Sequence, residues 1–111
     1  MFANSPLRPL GEIRLRVEDG RCVLHLRGDI DTAVVAAFEA DAGRGAQLPG
    51  RIDVIDAAEV TFLNSVGVRL LLQLTGPARA AGVRPVVRRP SRATLQLLRV
   101  NRLRELFDVV D

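Results

Sequence analysis

With one cysteine, Cys22, and one histidine, His25, the chain can close no intrachain disulfide and can assemble no cysteine- or histidine-rich metal site. Tryptophan and tyrosine are missing and phenylalanine occurs only four times, which leaves little aromatic surface on which nucleic-acid bases could stack. Lysine is missing too. All 16 basic residues are arginine, whose very high pKa lifts the sequence pI to 10.8 although the net charge is only +3 against 13 acids. These arginines are scattered, with one adjacent pair at Arg88 and Arg89, so no nucleic-acid partner is expected. Long apolar runs are likewise lacking: nothing approaches a membrane span, and the opening MFANSPLRPL has neither the charged start nor the apolar middle of a secretory signal. A cytoplasmic protein is expected. With 48% apolar and 26% charged residues over 111 positions, the chain suits a single globular domain, residues 11–111, after a short N-terminal extension, residues 1–10.

What is present is a sequence whose periodicity changes several times. Residues 12–18 alternate strictly, with Ile13, Leu15 and Val17 on one face, as in a half-buried strand. Asp19-Gly20 is a two-residue hairpin signal, and the return strand over residues 22–27 sets Cys22, Leu24 and Leu26 opposite Val23, His25 and Arg27. Cys22 and His25 therefore point to opposite faces, and they read as a packed thiol and a tolerated imidazole rather than a reactive pair. Gly28 to Asp31 should end the strand. Asp31 or Thr32 would then cap an alanine-rich helix running to about Ala42 with Val34, Val35 and Phe38 as its core stripe. Gly43, Gly45, Pro49 and Gly50 mark a loop.

Residues 51–57 predict a more interior strand, joined by a loop to Asn64-Ser65 and a helix to about Thr75. Pro77 predicts a kink or break there, with a last turn through Ala81 and Gly82 as C-cap. Residues 83–89 predict a strand, Pro90-Ser91 opens a helix to about Leu98, and residues 101–111 predict a helical turn and a final strand at residues 107–110. The order describes an α/β domain: a mixed sheet of four to five strands with helices packed on one face.

Four stretches carry a family resemblance: LRGDIDTAVVAAFEA, DVIDAAEVTFLNSVGVRLLLQL, AAGVRPVV and VNRLRELFDV. In that order they resemble the successive landmarks of STAS domains, specifically the small single-domain anti-sigma factor antagonists, from about Gly11 to Val110. In that family the segment before the second helix usually reads Asp-Ser-Ser/Thr-Gly. Its first serine is phosphorylated by a partner anti-sigma factor that is also a serine kinase. The matching residues here are Asn64, Ser65, Val66 and Gly67, so the serine and glycine are kept while Asn64 replaces the acid and Val66 the second hydroxyl. The resemblance implies transcription regulation by partner switching, without a cofactor, in a monomer or weak homodimer. It also lends Asp29 and Asp31 a place among the partner contacts, because the loop that holds them lies near the serine in the family.

Helix geometry gives Ser65 a role independent of that resemblance. At about 100° per residue, Gly67, Leu70, Leu71, Leu74 and Ala78 share a face that should pack on the sheet, whereas Ser65, Val68, Arg69 and Leu72 fall opposite. Two apolar residues beside a serine on the outer side suggest a protein-docking stripe, although Val68 and Leu72 could instead lie beneath a neighbouring segment. A phosphate on Ser65 would sit at a helix N-terminus, where an anion is favoured, and would alter docking rather than fold. Side chains at Asp29 and Asp31 are also explained by helix capping and strand-end solvation, and Arg88 and Arg89 read as solvated. Asp56, read as ending its strand near the Ser65 loop, is the more interesting of the two acids in its strand. No phosphate loop, triad or ligand cluster is present, so an enzyme is not expected. The leading function is a regulatory binding module. A STAS module acting as a non-phosphorylated assembly or signalling component is the alternative, and a small enzyme or nucleotide binder has little support.

Overall fold

In a computed structural model, residues 11–43 and 51–111 are described; the expected N-terminal extension and the loop positions Gly45, Pro49 and Gly50 lie outside them. The elements follow in the order β1 (Glu12–Glu18), β2 (Arg21–Ile30), α1 (Thr32–Gly43), β3 (Val54–Leu63), α2 (Ser65–Ala80), β4 (Val86–Arg88), α3 (Arg92–Val100), a 3-10 turn (Arg104–Leu106) and β5 (Asp108–Val110). Asp19 and Gly20 both take positive φ, 51° and 76°, the type I′ geometry that matches the twist of a two-residue hairpin. Ile13 and Leu15 turn to the core as their alternation predicts. Val17, next to the turn of the hairpin and paired with Cys22, is 77% exposed instead.

The five strands among the described residues lie in the order β1-β2-β3-β4-β5, with β1 antiparallel to β2 and each later pair parallel. Each parallel crossover therefore steps to the next strand in the same direction, and crossovers of one hand put every helix on the same face of the sheet. The core lies there. Leu24, Leu26, Ile55, Ala57 and Val87 from the sheet meet Val34 and Val35 of α1, Leu70 and Leu71 of α2, Leu98 of α3 and Phe107. Cys22 packs at the edge of this cluster, where burial, helped by Asp53, pushes its thiol pKa up.

Several expectations are corrected. β2 does not stop at Arg27 but runs through Gly28, which takes φ +73°, to Ile30. β3 begins later than expected and runs to Leu63, so that no loop separates it from α2. The cause is a pair of bulges. His25 and Arg27 pair with Asp56 and Glu59, and Gly28 and Asp29 pair with Val60 and Phe62, so β3 carries an extra residue at each place. The core positions of β3 consequently shift from every second residue, Ile55 and Ala57, to every third, Val60 and Leu63, and a strict alternation test misses the second half of the strand.

Helix α2 passes through Pro77 unbroken. Proline supplies no N–H to the carbonyl of Gln73, but Gln73 is exposed to solvent, which can take its place. The turn around it is tied by side chains: Thr75 Oγ1 donates to the Leu71 carbonyl at 2.6 Å, and Arg79 donates to Thr75 Oγ1 and to the Leu72 carbonyl, both at 2.7 Å. The Arg79 guanidinium also lies 5.6 Å from the centre of the Phe107 ring. Beyond Ala81 the helix closes as a Schellman motif, with Gly82 at φ +82°, its N–H on the Arg79 carbonyl and that of Val83 on the Ala78 carbonyl. Thr75, not expected in the core, is fully buried, whereas Leu74 is half-buried.

The face of the sheet away from the helices carries a charged layer. Asp56, with a side chain only 5% exposed, accepts from Arg88 Nη2 at 2.9 Å, from Arg89 and from the Ala58 N–H at 3.1 Å. Arg88 also donates to Glu18 at 3.1 Å, and His25 Nε2 donates to the same carboxylate at 2.6 Å. Arg88 and Arg89 are thus both paired, and only Arg89, 57% exposed, also remains solvated as expected. Asp56 is not next to Ser65 either, since β3 continues roughly 20 Å beyond it at about 3.3 Å per residue. Burial pushes the Asp56 carboxyl up, but the hydrogen bonds from Arg89, Ala58 and Arg88 outweigh it and hold the group below its ordinary range. Glu18 is lowered chiefly by the hydrogen bond from His25, which burial opposes and Arg88 reinforces.

A carboxyl held low when folded retains its charge after the unfolded chain's carboxyl has taken a proton. Its contribution is therefore complete above the ordinary Asp value of 3.8 and is lost as pH falls below it. We predict that Asp56→Ala lowers stability at neutral pH by about 3 kcal/mol, the low end for a broken buried pair because Arg89 is half exposed. Chemical denaturation at neutral pH and below pH 4 should show the gap between the two proteins narrowing as acid is added.

Candidate functional site

Between the last residue of β3 and the first of α2 stands one residue, Asn64, and its backbone is extended at φ −95° and ψ −179°. Every polar group of Asn64 is used. Its N–H donates to the Ile30 carbonyl at 3.3 Å, its own carbonyl accepts from the Val68 N–H at 3.0 Å, and Oδ1 accepts from the Gly67 N–H at 3.0 Å. The side-chain amide reaches Thr32 Oγ1, at 3.5 Å, in the first turn of α1. Asn64 is thus the N-cap of α2 and ties the end of β2 and the starts of two helices together. Ser65 is relieved of that task. It is the first residue of the helix, exposed, with a hydroxyl that makes no hydrogen bond among the described residues, and the first turn holds no acid.

Gly67 is required by the closeness of the joint. A Cβ there would stand 2.6 Å from Leu63 Cδ1 and 3.1 Å from the Ile30 carbonyl oxygen. Both neighbours are buried, and that oxygen already accepts from Asn64.

Around Ser65 the structure gathers some of the expected residues and not others. Asp31 caps α1, its Oδ1 accepting from the Val34 N–H at 3.0 Å, while Asp29 Oδ1 accepts from Thr61 Oγ1 at 2.5 Å across the β2–β3 pair. Both lie at the carboxyl ends of the parallel strands, where open α/β sheets present their binding surfaces. Arg69, one turn beyond Ser65, is exposed and makes no ion pair among the described residues. Val66, Val68 and Leu72 are half-buried and pack against the core cluster, so the expected docking stripe offers only part of its apolar surface. Phe62 was missed. It is 49% exposed two residues before the cap, paired with Asp29, because the second bulge turns it away from the core while Leu63 turns inward. The signal available was the β-branched and aromatic pair Thr61-Phe62, which reads as strand rather than loop. No group of three His, Cys, Asp or Glu side chains among the described residues could hold a metal ion.

The family model described as "Mlab, STAS domain" matches residues 13–110, from the first core residue of β1 to the last residue of β5. The chain belongs to the STAS domain family. No curated protein matches it at a significant level. Among solved structures this STAS domain is similar to an anti-sigma factor antagonist from Mycobacterium paratuberculosis, with a TM-score of 0.65 and 24% identity, covering 97% of this chain and 90% of that one. That likeness supports the α/β fold built by the described residues.

The division of labour between Asn64 and Ser65 has a measurable consequence. Asn64→Ala should lower stability by about 1 kcal/mol, as cap removal does, and Ser65→Ala by less than about 0.5 kcal/mol, as for an exposed residue without a partner. Thermal melts of the two variants would check the order, and a larger loss for Ser65→Ala would show that the serine is the cap. Gly67→Ala should cost more than either, through the displacement of Leu63.

Proposed function

We propose that this STAS domain is an anti-sigma factor antagonist, which binds an anti-sigma factor with serine kinase activity through the Ser65 end of the sheet and is released when Ser65 is phosphorylated. The observation that carries this reading is the unpartnered, exposed hydroxyl of Ser65 beside a cap supplied by its neighbour. A kinase can reach it, and modification need break no internal bond. A phosphate would bring about −1.5 to −2 charges to a helix N-terminus, where N–H groups and the dipole stabilise an anion, so the fold persists while the surface becomes more negative. On this reading the 49% exposed ring of Phe62 supplies the apolar contact, with the exposed Arg69, the Asp29–Thr61 pair and the half-buried Val68 and Leu72 as further contacts. The agreement in fold with an anti-sigma factor antagonist supports the same role.

The non-phosphorylated reading is favoured by one observation. Asn64 stands where the family usually has an acid, and Val66, in place of a second hydroxyl, is half-buried against the core. In that case the same surface would serve assembly without a covalent switch.

Incubation with the cognate anti-sigma factor and ATP, followed by intact-mass and site-localising spectrometry, separates the two. Phosphate on Ser65 of the native chain is the expected result; phosphate only after Asn64→Asp would favour the assembly reading, and phosphate on another residue would remove Ser65 from its role. Binding measured alongside should show Ser65→Ala retaining affinity and losing its response to ATP, with Ser65→Asp weaker. Phe62→Ala should weaken the complex by about tenfold or more, as loss of an aromatic anchor does, while its melting temperature stays near that of the native chain.

A further inference from the structure

The second polar feature of the molecule lies on the opposite face of the sheet and shares no residue with the Ser65 end. There a cavity of about 430 Å³ opens over β1, β2 and β3, with the size of a small-molecule site. Its basic lining is Arg14, Arg16, His25, Arg27 and Arg89; its acidic lining is Glu12, Asp56 and Glu59. The strand register explains the convergence. Arg14 faces His25, which faces Asp56, while Arg27 stands between Glu12 and Glu59, so neighbouring strands raise these side chains from one patch of sheet.

The charges do not cancel. Asp56 is occupied by Arg88 and Arg89, and Glu12 takes Arg14 Nε at 2.6 Å. His25 Nε2 is bound to Glu18 at 2.6 Å. Arg16 and Arg27 have no ion-pair partner among the described residues, and the terminal nitrogens of Arg14 make no hydrogen bond among them either. On the acidic side only Glu59 is left unpaired. The cavity therefore presents three arginine forks with unused donors against one unpaired carboxylate, and Asp56, the acid at its floor, is already neutralised. Several guanidinium groups around one space match the oxygens of a tetrahedral anion better than a single planar carboxylate, which one fork satisfies.

We propose that this cavity binds a small soluble molecule bearing a phosphate group, held by Arg14, Arg16 and Arg27. The ligand would sit on the bare side of the sheet, so its binding is independent of the reading given to Ser65.

Inorganic pyrophosphate is a suitable probe. It would be titrated into the labelled chain at fixed ionic strength and followed by amide and arginine side-chain NMR shifts. Saturable shifts concentrated on Arg14, Arg16, His25, Arg27 and Glu59 are expected. The Arg16→Gln, Arg27→Gln double variant should bind at least about tenfold more weakly with an unchanged melting temperature, because both side chains are exposed. Glu59→Gln should bind more tightly, and Ser65→Asp should bind as the native chain does. Shifts that never saturate and spread over the whole surface would overturn the proposal, as would unchanged affinity in the double variant. Binding to vesicles containing phosphatidic acid, with none to pyrophosphate, would assign the arginines to a lipid surface and overturn it equally.

Discussion

Three successive crossovers of one hand, each moving to the adjacent strand, leave the molecule no choice about where its helices go. They all cover one face, and the other face of a five-stranded sheet must be made compatible with water by side chains alone. A polar surface built only of short residues would leave Val23 and Val54, which are buried on that side, in contact with solvent. The chain instead uses long ones. Glu18 reaches from β1 to both His25 and Arg88, across the row that holds Val23 and Val54, and Arg88 joins it to Asp56. Arginine is well suited to this arrangement, since its aliphatic stem covers apolar surface while its fork serves two carboxylates at once. An Asp inside the central strand, which looks like a misfit beside Val54 and Ile55, is the anchor on which this layer closes.

That layer also shows what can and cannot be read from the amino acids. Local signals were legible: the Asp-Gly hairpin, a cap of α1 at Asp31 or Thr32, the start of α3 after Pro90-Ser91 and the final short strand all depend on residues adjacent in the chain. The pairing of Asp56 with Arg88 and Arg89 joins residues from different strands, and no pattern along the sequence marks it. The second half of β3 was lost because two bulges replace alternation by a period of three, and α2 does not break at Pro77, where the residue losing its bond, Gln73, is exposed. Helix and strand periods are statements about regular backbone. They fail where the backbone is irregular.

The site was legible in a different way. Asn64, Ser65 and Gly67 were visible as a junction, and the resemblance to STAS domains placed them in a common frame. Which of the two polar residues capped the helix could not be read, since both types serve that role equally well. The spatial answer follows from crowding. With a single residue between strand and helix, the joint must bond to Ile30 and to Gly67 simultaneously, and only Asn64 lies at the position from which both are reached. Val68 and Leu72 are held partly inward against the core, while the second bulge turns Phe62 outward two residues before the cap.

The two bulges of β3 bear finally on how reliably this sheet is assembled. In a regular parallel pair, a strand may enter one residue out of step and still find hydrogen bonds, at the cost of exchanging its faces. Here such a slip of β3 would turn the Asp56 carboxylate toward Leu24 and Leu70 and set Ile55 and Ala57 among the arginines, while both bulges would fall opposite the wrong residues of β2. The misaligned sheet would bury an unpaired charge and would gain no compensating contact. Register is thus enforced twice, by backbone shape and by electrostatics, in the strand that leads directly into Asn64 and Ser65.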